Sequence, residues 1–139
     1  MHIYEDLRDI TEEKAPTGQL YIYVIENYPA MNIKIGRTTN PIQRFKSLSG
    51  SNNGGNIIKR VAISPVTYLY TIEQNCHNHF YKNRINGTEY FKDISFDMAV
   101  NYINKIFNGK NYNRSNQIRK EFYEKNPDMM PKFLIDKEI

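Results

Sequence analysis

Cysteine is almost missing from this chain: Cys76 stands alone among 139 residues. An internal disulfide is therefore excluded, as is a zinc site built from several thiolates, and a reducing compartment fits. No segment approaches the roughly eighteen consecutive apolar residues of a membrane-spanning helix, and Met1 to Glu5 lacks the basic-then-apolar profile of a signal peptide. The expectation is an intracellular chain with no membrane partner, held together by packing. Acids are also missing from the middle. Residues 27–72 carry Lys34, Arg37, Arg44, Lys46, Lys59 and Arg60 with no Asp or Glu, whereas residues 1–26 carry six acids against Arg8 and Lys14. A stretch with charge of one sign suits a phosphate-rich partner, because a polyanion releases counterions for each cation it meets. A merely solvated basic surface is the plainer alternative.

The chain is long enough for one domain with a real core and short for two. Leu20 to Ile25 is aromatic and β-branched between turn residues, which predicts a buried strand. Ile33-Lys34-Ile35-Gly36 is expected to pair with it through the short connection Asn27–Asn32. Asn40-Pro41 reads as an N-cap with proline at the first helical position, and Ile42, Phe45 and Leu48 form one apolar face. Ser49–Asn56 holds nothing that buries apolar area and reads as a mobile surface loop. Its Gly54-Gly55 lacks the Gly-Lys-Ser/Thr ending of a phosphate-binding P-loop. Ile57–Ile63 predicts a further strand.

Ser64-Pro65 is read as the start of a second helix, running to about Asn83 with Leu69, Ile72, Cys76 and Phe80 as its core stripe. Glu89-Tyr90-Phe91 suggests a short strand, and Ser95 caps a helix with Phe96, Val100, Ile103 and Phe107 inward until Asn108-Gly109. The expected fold is α+β, a small and mostly antiparallel central sheet of about three strands flanked by helices. Residues 18–108 form its domain, between an acidic extension at 1–17 and a basic extension at 109–139, helical from Ser115 to Lys125 and broken at Pro127 and Pro131.

Tyr21-Ile22-Tyr23 on the first strand and Lys34-Ile35-Gly36 on the second, followed by a helix bearing Arg44, resemble the GIY-YIG nuclease superfamily. The intervals are close to those of the family: eleven residues from Tyr23 to Lys34 and ten from there to Arg44. Ile22, Ile35 and Gly36 stand as its structural motif positions. Tyr21 replaces the glycine of the family name and Lys34 its second tyrosine. Lysine in that slot, with Glu73 and His77 on a helix and then Arg84 to Phe91 as Arg-x-x-Gly-x-Glu-aromatic-Phe, looks like a phage and viral branch of the superfamily. The resemblance covers roughly residues 18–105 and implies a divalent-metal nuclease acting on nucleic acid, DNA rather than RNA.

Phosphodiester hydrolysis makes the same residues plausible, since it needs an activated water, a cation on the developing charge and help for the leaving oxygen. Glu73 is the candidate ligand for one Mg²⁺ or Mn²⁺ ion, and Glu89 is the second choice. Arg44 would grip the scissile phosphate. Tyr23, with its acidity raised by a nearby Lys34 ammonium, would move a proton. Lys34 is itself a candidate participant, and His77 a helper, because Tyr70, Glu73 and His77 share one helical stripe. His79 points elsewhere, and Cys76 belongs to the apolar stripe. Arg37, Lys46, Lys59, Arg60 and Arg84, with the helix around Arg114, Arg119 and Lys120, are candidates for holding the backbone.

Each residue also has an ordinary reading: Tyr23 as a core tyrosine, Lys34 and Arg44 as surface charges, Glu73 as a solvated helix residue. Two rival functions follow. One is a binding module that kept the scaffold without cutting. The other is a host-interaction protein whose acidic amino terminus is the contact surface. The sequence defines no dimer surface and leaves the oligomeric state open.

Overall fold

The computed structural model describes residues 1–49, 53, 55–66, 70–107 and 110–129, with the backbone alone at 70, 71, 110–116 and 119. A five-stranded antiparallel sheet in the order β1-β4-β2-β3-β5 forms its centre. The strands are β1 (His2–Tyr4), β2 (Tyr21–Tyr28), β3 (Ile33–Thr38), β4 (Ile57–Pro65) and β5 (Tyr90–Phe91). The helices are α1 (Pro41–Ser47), α2 (Tyr70–His79), α3 (Phe96–Phe107) and α4 (Lys110–Lys125). No helix among the described residues is long and apolar enough to cross a membrane.

Strand β2 runs through the middle, which is why its sequence is apolar without alternation: both its faces are covered. Leu20, Ile22 and Val24 join Ile33, Ile35 and Ala62 under Ile72 and Cys76 of α2 and Phe96, Val100 and Ile103 of α3. Tyr21, Tyr23 and Ile25 face the other way with Val61 and Ile63, against Phe45 of α1, Leu48 just beyond it, and Tyr4, Ile10 and Ala15 of the amino-terminal segment. Two caps seen in the sequence are made. Asn40 accepts from the Gln43 amide at 3.1 Å, and Ser95 Oγ from the Met98 amide at 3.0 Å.

Several expectations change. The sheet has five strands rather than three, because β1 pairs with β4 (Ile3 opposite Ala62) and Glu89-Tyr90-Phe91 contributes two residues at the far edge. Ser64-Pro65 opens no helix. The β2–β4 ladder continues to Ser64 and Pro65, and Val66 N donates to Leu20 O at 3.0 Å, so tertiary pairing overrides the local cap-and-proline signal. Leu69 lies outside the described residues, as do Gly54, Asn108, Gly109 and Pro131. The buried stripe of α1 is Pro41 and Phe45, continued by Leu48 after its end, which rotates Ile42 outward to 37% exposure. Described parts of both terminal extensions touch the core: Tyr4, Ile10 and Ala15 pack into one side and Tyr123 of α4 into the other. Asn53, in the stretch after α1 that the sequence marks as surface loop, is 1% exposed.

Candidate active site

Antiparallel pairing of β2 with β3 sets Tyr23 opposite Gly36 and Ile25 opposite Lys34, so Tyr23, Lys34 and the bare Cα of Gly36 share one face. Phe45 packs edge-on against the Tyr23 ring, 5.4 Å between centroids, and so holds α1 over this face. From α1, Arg44 Nε donates to the Tyr23 hydroxyl at 3.2 Å. The open position at Gly36 is filled by its neighbours. A Cβ there would come within 2.5 Å of the Tyr23 hydroxyl oxygen and 2.8 Å of Glu89 Oε2.

Glu89 arrives along the outer edge of β3. Strand β5 pairs only with Ile33 and Lys34, and the ladder closes with Ile35 N donating to Glu89 O at 3.0 Å. The Glu89 side chain therefore lies where the edge opens. Its Oε2 is 3.2 Å from Lys34 Nζ and 3.9 Å from Arg44 Nη2. Lys34 is buried, and its ammonium sits 4.4 Å from the centre of the Tyr90 ring.

Glu73 reaches the same edge from the opposite face, on α2. Its Oε2 is 3.4 Å from Arg37 Nε and its Oε1 3.9 Å from His77 Nε2. His77 Nε2 also lies 3.3 Å from Ile35 O, the bond made by the Nε2–H tautomer. Burial raises the Glu73 pKa. Arg37 opposes the shift, Glu89 adds to it, and Arg84 and Lys34 oppose it. Burial likewise lowers the His77 pKa, so the imidazole is neutral near pH 7. The two carboxylates, one from each face of β3, thus share one field with Lys34.

Burial also decides the state of Tyr23. Desolvation pushes the phenol up to about 12, against the lowering effect of its Arg44 hydrogen bond. This corrects the expectation of an acidified phenol, because a fully buried hydroxyl loses more by ionising than its neighbouring cation returns. Tyr23 is protonated at neutral pH.

Of the residues singled out from the sequence, Tyr23, Lys34, Arg44 and Gly36 come together on one face of β3, and Glu73, His77 and Arg37 on the other, where Ile22 and Ile35 join the core. Arg84 faces the Thr88 carbonyl through a 2.6 Å hydrogen bond from Nε, and its charge bears on Glu73. Lys46 lies exposed on α1. Lys59 and Arg60 belong to another cluster: both pair with Glu26, at 3.6 Å and 3.1 Å, and Arg60 lies over Phe96. The side chains of Arg114 and Arg119 lie outside the description. His79 stacks on Tyr102 at 3.9 Å, away from the site, and Cys76 is buried with its thiol pushed up to about 12. The sequence does not mark Tyr90 or Asn53 as site residues, and Glu89, its second choice for the metal, contacts both Lys34 and Arg44.

A divalent cation fits this donor set in one specific way. Glu73 Oε2 and Glu89 Oε2 are both buried and neither accepts a well-aligned hydrogen bond, which is unusual for carboxylate oxygens. Among the described residues no three His, Cys, Asp or Glu side chains gather as a cage. Such a site matches a hard ion held by one or two carboxylates and otherwise by water and substrate oxygens.

No curated protein and no solved structure shows a significant match to the chain. A family profile does, the T5orf172 domain, over residues 18–111. That span contains both strands of the Tyr23–Gly36 pair, α1, α2 and Glu89, and is well over half of the sequence, so the chain belongs to the T5orf172 domain family, a family of nuclease-like domains.

Proposed function

We propose that the protein is a metal-dependent endonuclease of GIY-YIG type that hydrolyses phosphodiester bonds, with DNA its substrate in preference to RNA. The observation that carries this reading is the meeting of a phenol, an ammonium, a guanidinium and the Glu89 carboxylate around Gly36, the position of the described strands that has no side chain, with the half-buried Glu73 carboxylate on the other face of the same strand. A core tyrosine with stray surface charges needs no such arrangement. Arg44 anchors itself on Tyr23 through Nε and keeps its remaining N–H groups for two oxygens of the scissile phosphate. Tyr23, protonated, and the Lys34 ammonium are the proton donors beside Arg44 for the leaving oxygen. Glu89, between Lys34 and Arg44, is the acceptor for the proton lost by the attacking water. Glu73 would hold Mg²⁺ or Mn²⁺, with Glu89 the second candidate ligand; when bound, the ion supplies charge neutralisation at the phosphate and a more acidic water. His77, neutral and turned to the Ile35 carbonyl, packs beside Glu73, which Arg37 faces from the other side. Arg37 and Arg84 extend the cationic surface along the open edge, and Lys46 continues it on α1.

The test is to incubate the protein with supercoiled plasmid, single-stranded DNA and RNA in Mg²⁺, Mn²⁺ and EDTA. Metal-dependent nicking or linearisation of DNA is expected. Binding without cleavage under every condition would instead make the scaffold a binding module, and a stoichiometric protein partner lost on charge reversal of Glu12 and Glu13 would make it a host-interaction protein.

Glu73→Gln separates the metal from the scaffold. A buried carboxyl with a raised pKa costs stability when ionised, a cost present above the unfolded carboxyl pKa of about 4.3 and removed as pH falls below it. Glu73→Gln is therefore expected to raise Tm by a few degrees at pH 7, with the gain shrinking towards pH 4, while abolishing cleavage. Millimolar Mg²⁺ should raise the Tm of the wild type and leave that of the variant unmoved. Equal Mg²⁺ shifts in both proteins would remove Glu73 from the metal site.

A further inference from the structure

The asparagines around the loop after α1 are buried in a way that an exposed loop does not require. Asn27 is fully buried and Asn53 is 1% exposed. A buried primary amide is costly unless both its ends are satisfied, and here they satisfy one another in sequence. The Tyr90 hydroxyl donates to Asn53 Oδ1 at 2.7 Å, Asn53 Nδ2 to Asn27 Oδ1 at 2.8 Å, and Asn27 Nδ2 to Asn32 Oδ1 at 2.8 Å. Asn56 closes the far side, donating through Nδ2 to Asn53 O at 2.9 Å and accepting from Ala30 N at 3.0 Å. The backbone of Asn53 is thus already anchored by Asn56. The Asn53 side chain spans two partners, holding Asn27 through Nδ2 and fixing the Tyr90 hydroxyl through Oδ1.

That hydroxyl belongs to the ring beneath Lys34. Tyr90 stands opposite Lys34 in the β3–β5 pairing, and the ammonium has the ring on one side at 4.4 Å and Glu89 Oε2 on another at 3.2 Å. Strand β5 is only two residues long, so the ladder alone gives the ring little restraint. A lysine side chain has many rotamers, which a single ion pair open at one side does not freeze. A ring pinned at its hydroxyl supplies the missing wall.

We propose that Asn53 is a positioning residue for Lys34: it holds Tyr90 by the hydroxyl, and the ring so fixed keeps the Lys34 ammonium against Glu89 and beside Arg44. This rests on the reading that Lys34 takes part in phosphodiester cleavage. It also gives the asparagine-rich loop a part in the site that its composition does not suggest.

The experiment compares Asn53→Ala, Tyr90→Phe, their double variant and Asn32→Ala, which breaks the chain at its end away from Lys34. Three quantities are read: kcat and KM for plasmid nicking, Tm, and the rate at which an amine-reactive acylating reagent labels Lys34, followed by mass spectrometry of the peptide. Asn53→Ala and Tyr90→Phe are each expected to lower kcat about tenfold, the equivalent of one hydrogen bond, with KM within about twofold of wild type on the same basis. The double variant should match the singles in kcat and labelling, because both remove the Tyr90–Asn53 bond, while Tm falls further wherever Asn53→Ala also removes the bond to Asn27. Lys34 labelling should rise several-fold in all three and stay at the wild-type rate in Asn32→Ala, which loses only Tm. Unchanged kcat and unchanged labelling in both Asn53→Ala and Tyr90→Phe overturn the proposal. Should Asn53→Ala not fold, Tyr90→Phe decides alone, since it deletes a single hydroxyl. A wild-type protein that never cuts nucleic acid refutes the nuclease reading, and the labelling rates still decide whether Asn53 positions Lys34.

Discussion

Arg44→Ala is expected to lower the cleavage rate by about 10²–10³ at saturating enzyme, the usual cost of removing a preorganised donor from a developing oxyanion, while DNA affinity changes by only a few-fold. The asymmetry follows from where the guanidinium sits. It is half-buried in the last turn of α1, with Nε committed to the Tyr23 hydroxyl at 3.2 Å and Nη2 facing Glu89 at 3.9 Å. On the proposed reading affinity comes from many phosphate contacts spread over the basic surface, whereas Arg44 is, among the described residues, the one that touches both the phenol and the Glu89 carboxylate. Its loss acts twice. The phosphate loses a two-pronged donor, and Tyr23 loses the hydrogen bond that most opposes the rise of its pKa. Arg44→Lys should recover little, since an ammonium keeps the charge and loses the planar fork. Single-turnover cleavage beside electrophoretic mobility shifts reads both quantities. Cleavage by Arg44→Ala within threefold of wild type would remove Arg44 from the chemistry, and a parallel collapse of binding would make it a docking residue.

The sequence made the centre of the fold legible because the centre obeys local rules. The unbroken apolar run Leu20–Ile25 belongs to a strand covered on both faces, and the Asn40-Pro41 and Ser95 caps sit at real helix starts. Legibility fails where tertiary contacts outvote local signals. Ser64-Pro65 carries a helix-start signature and stays in the ladder, because β2 offers partners as far as Pro65. His2–Tyr4 has too little pattern to announce a strand, and its place is set by an edge of β4 that would otherwise be unpaired. At the site, the spacing of Tyr23, Lys34 and Arg44 was visible, and so was the shared helical stripe of Glu73 and His77. Three things were not. An asparagine in a Gly- and Ser-rich stretch reads as solvent loop, since nothing local signals an amide partner 26 residues away. The approach of Glu89 to Lys34 depends on β5 beginning only at Tyr90, one residue after it. The direction of the Tyr23 shift depends on burial, which the identities of nearby charges do not disclose.

Gly36→Ala is the smallest change expected to disable the molecule, and on intrinsic grounds it should do the opposite. Alanine in a strand interior is favoured over glycine by roughly 0.5–1 kcal/mol. Against this stands the space that the methyl group needs, which holds the Tyr23 hydroxyl oxygen at 2.5 Å, its Cζ at 2.7 Å and Glu89 Oε2 at 2.8 Å. Glu89 can swing away, at the cost of its contacts with Lys34 and Arg44. Tyr23 cannot, because the ring is fully buried, set edge-on against Phe45, and flanked on β2 by buried neighbours. Overpacking of this kind costs about 1–3 kcal/mol, enough to reverse the propensity gain and lower Tm by several degrees. Cleavage should fall by about 10² or more, since a displacement near 1 Å at a reacting centre has that effect. The double variant Gly36→Ala/Tyr23→Phe tells the two losses apart. It removes the 2.5 Å contact and keeps the one at Cζ, so part of the stability should return while cleavage stays lost. If Gly36→Ala melts and cuts like the wild type, the phenol is not where the Tyr23–Gly36 pairing places it, and the site built around that pairing falls with it.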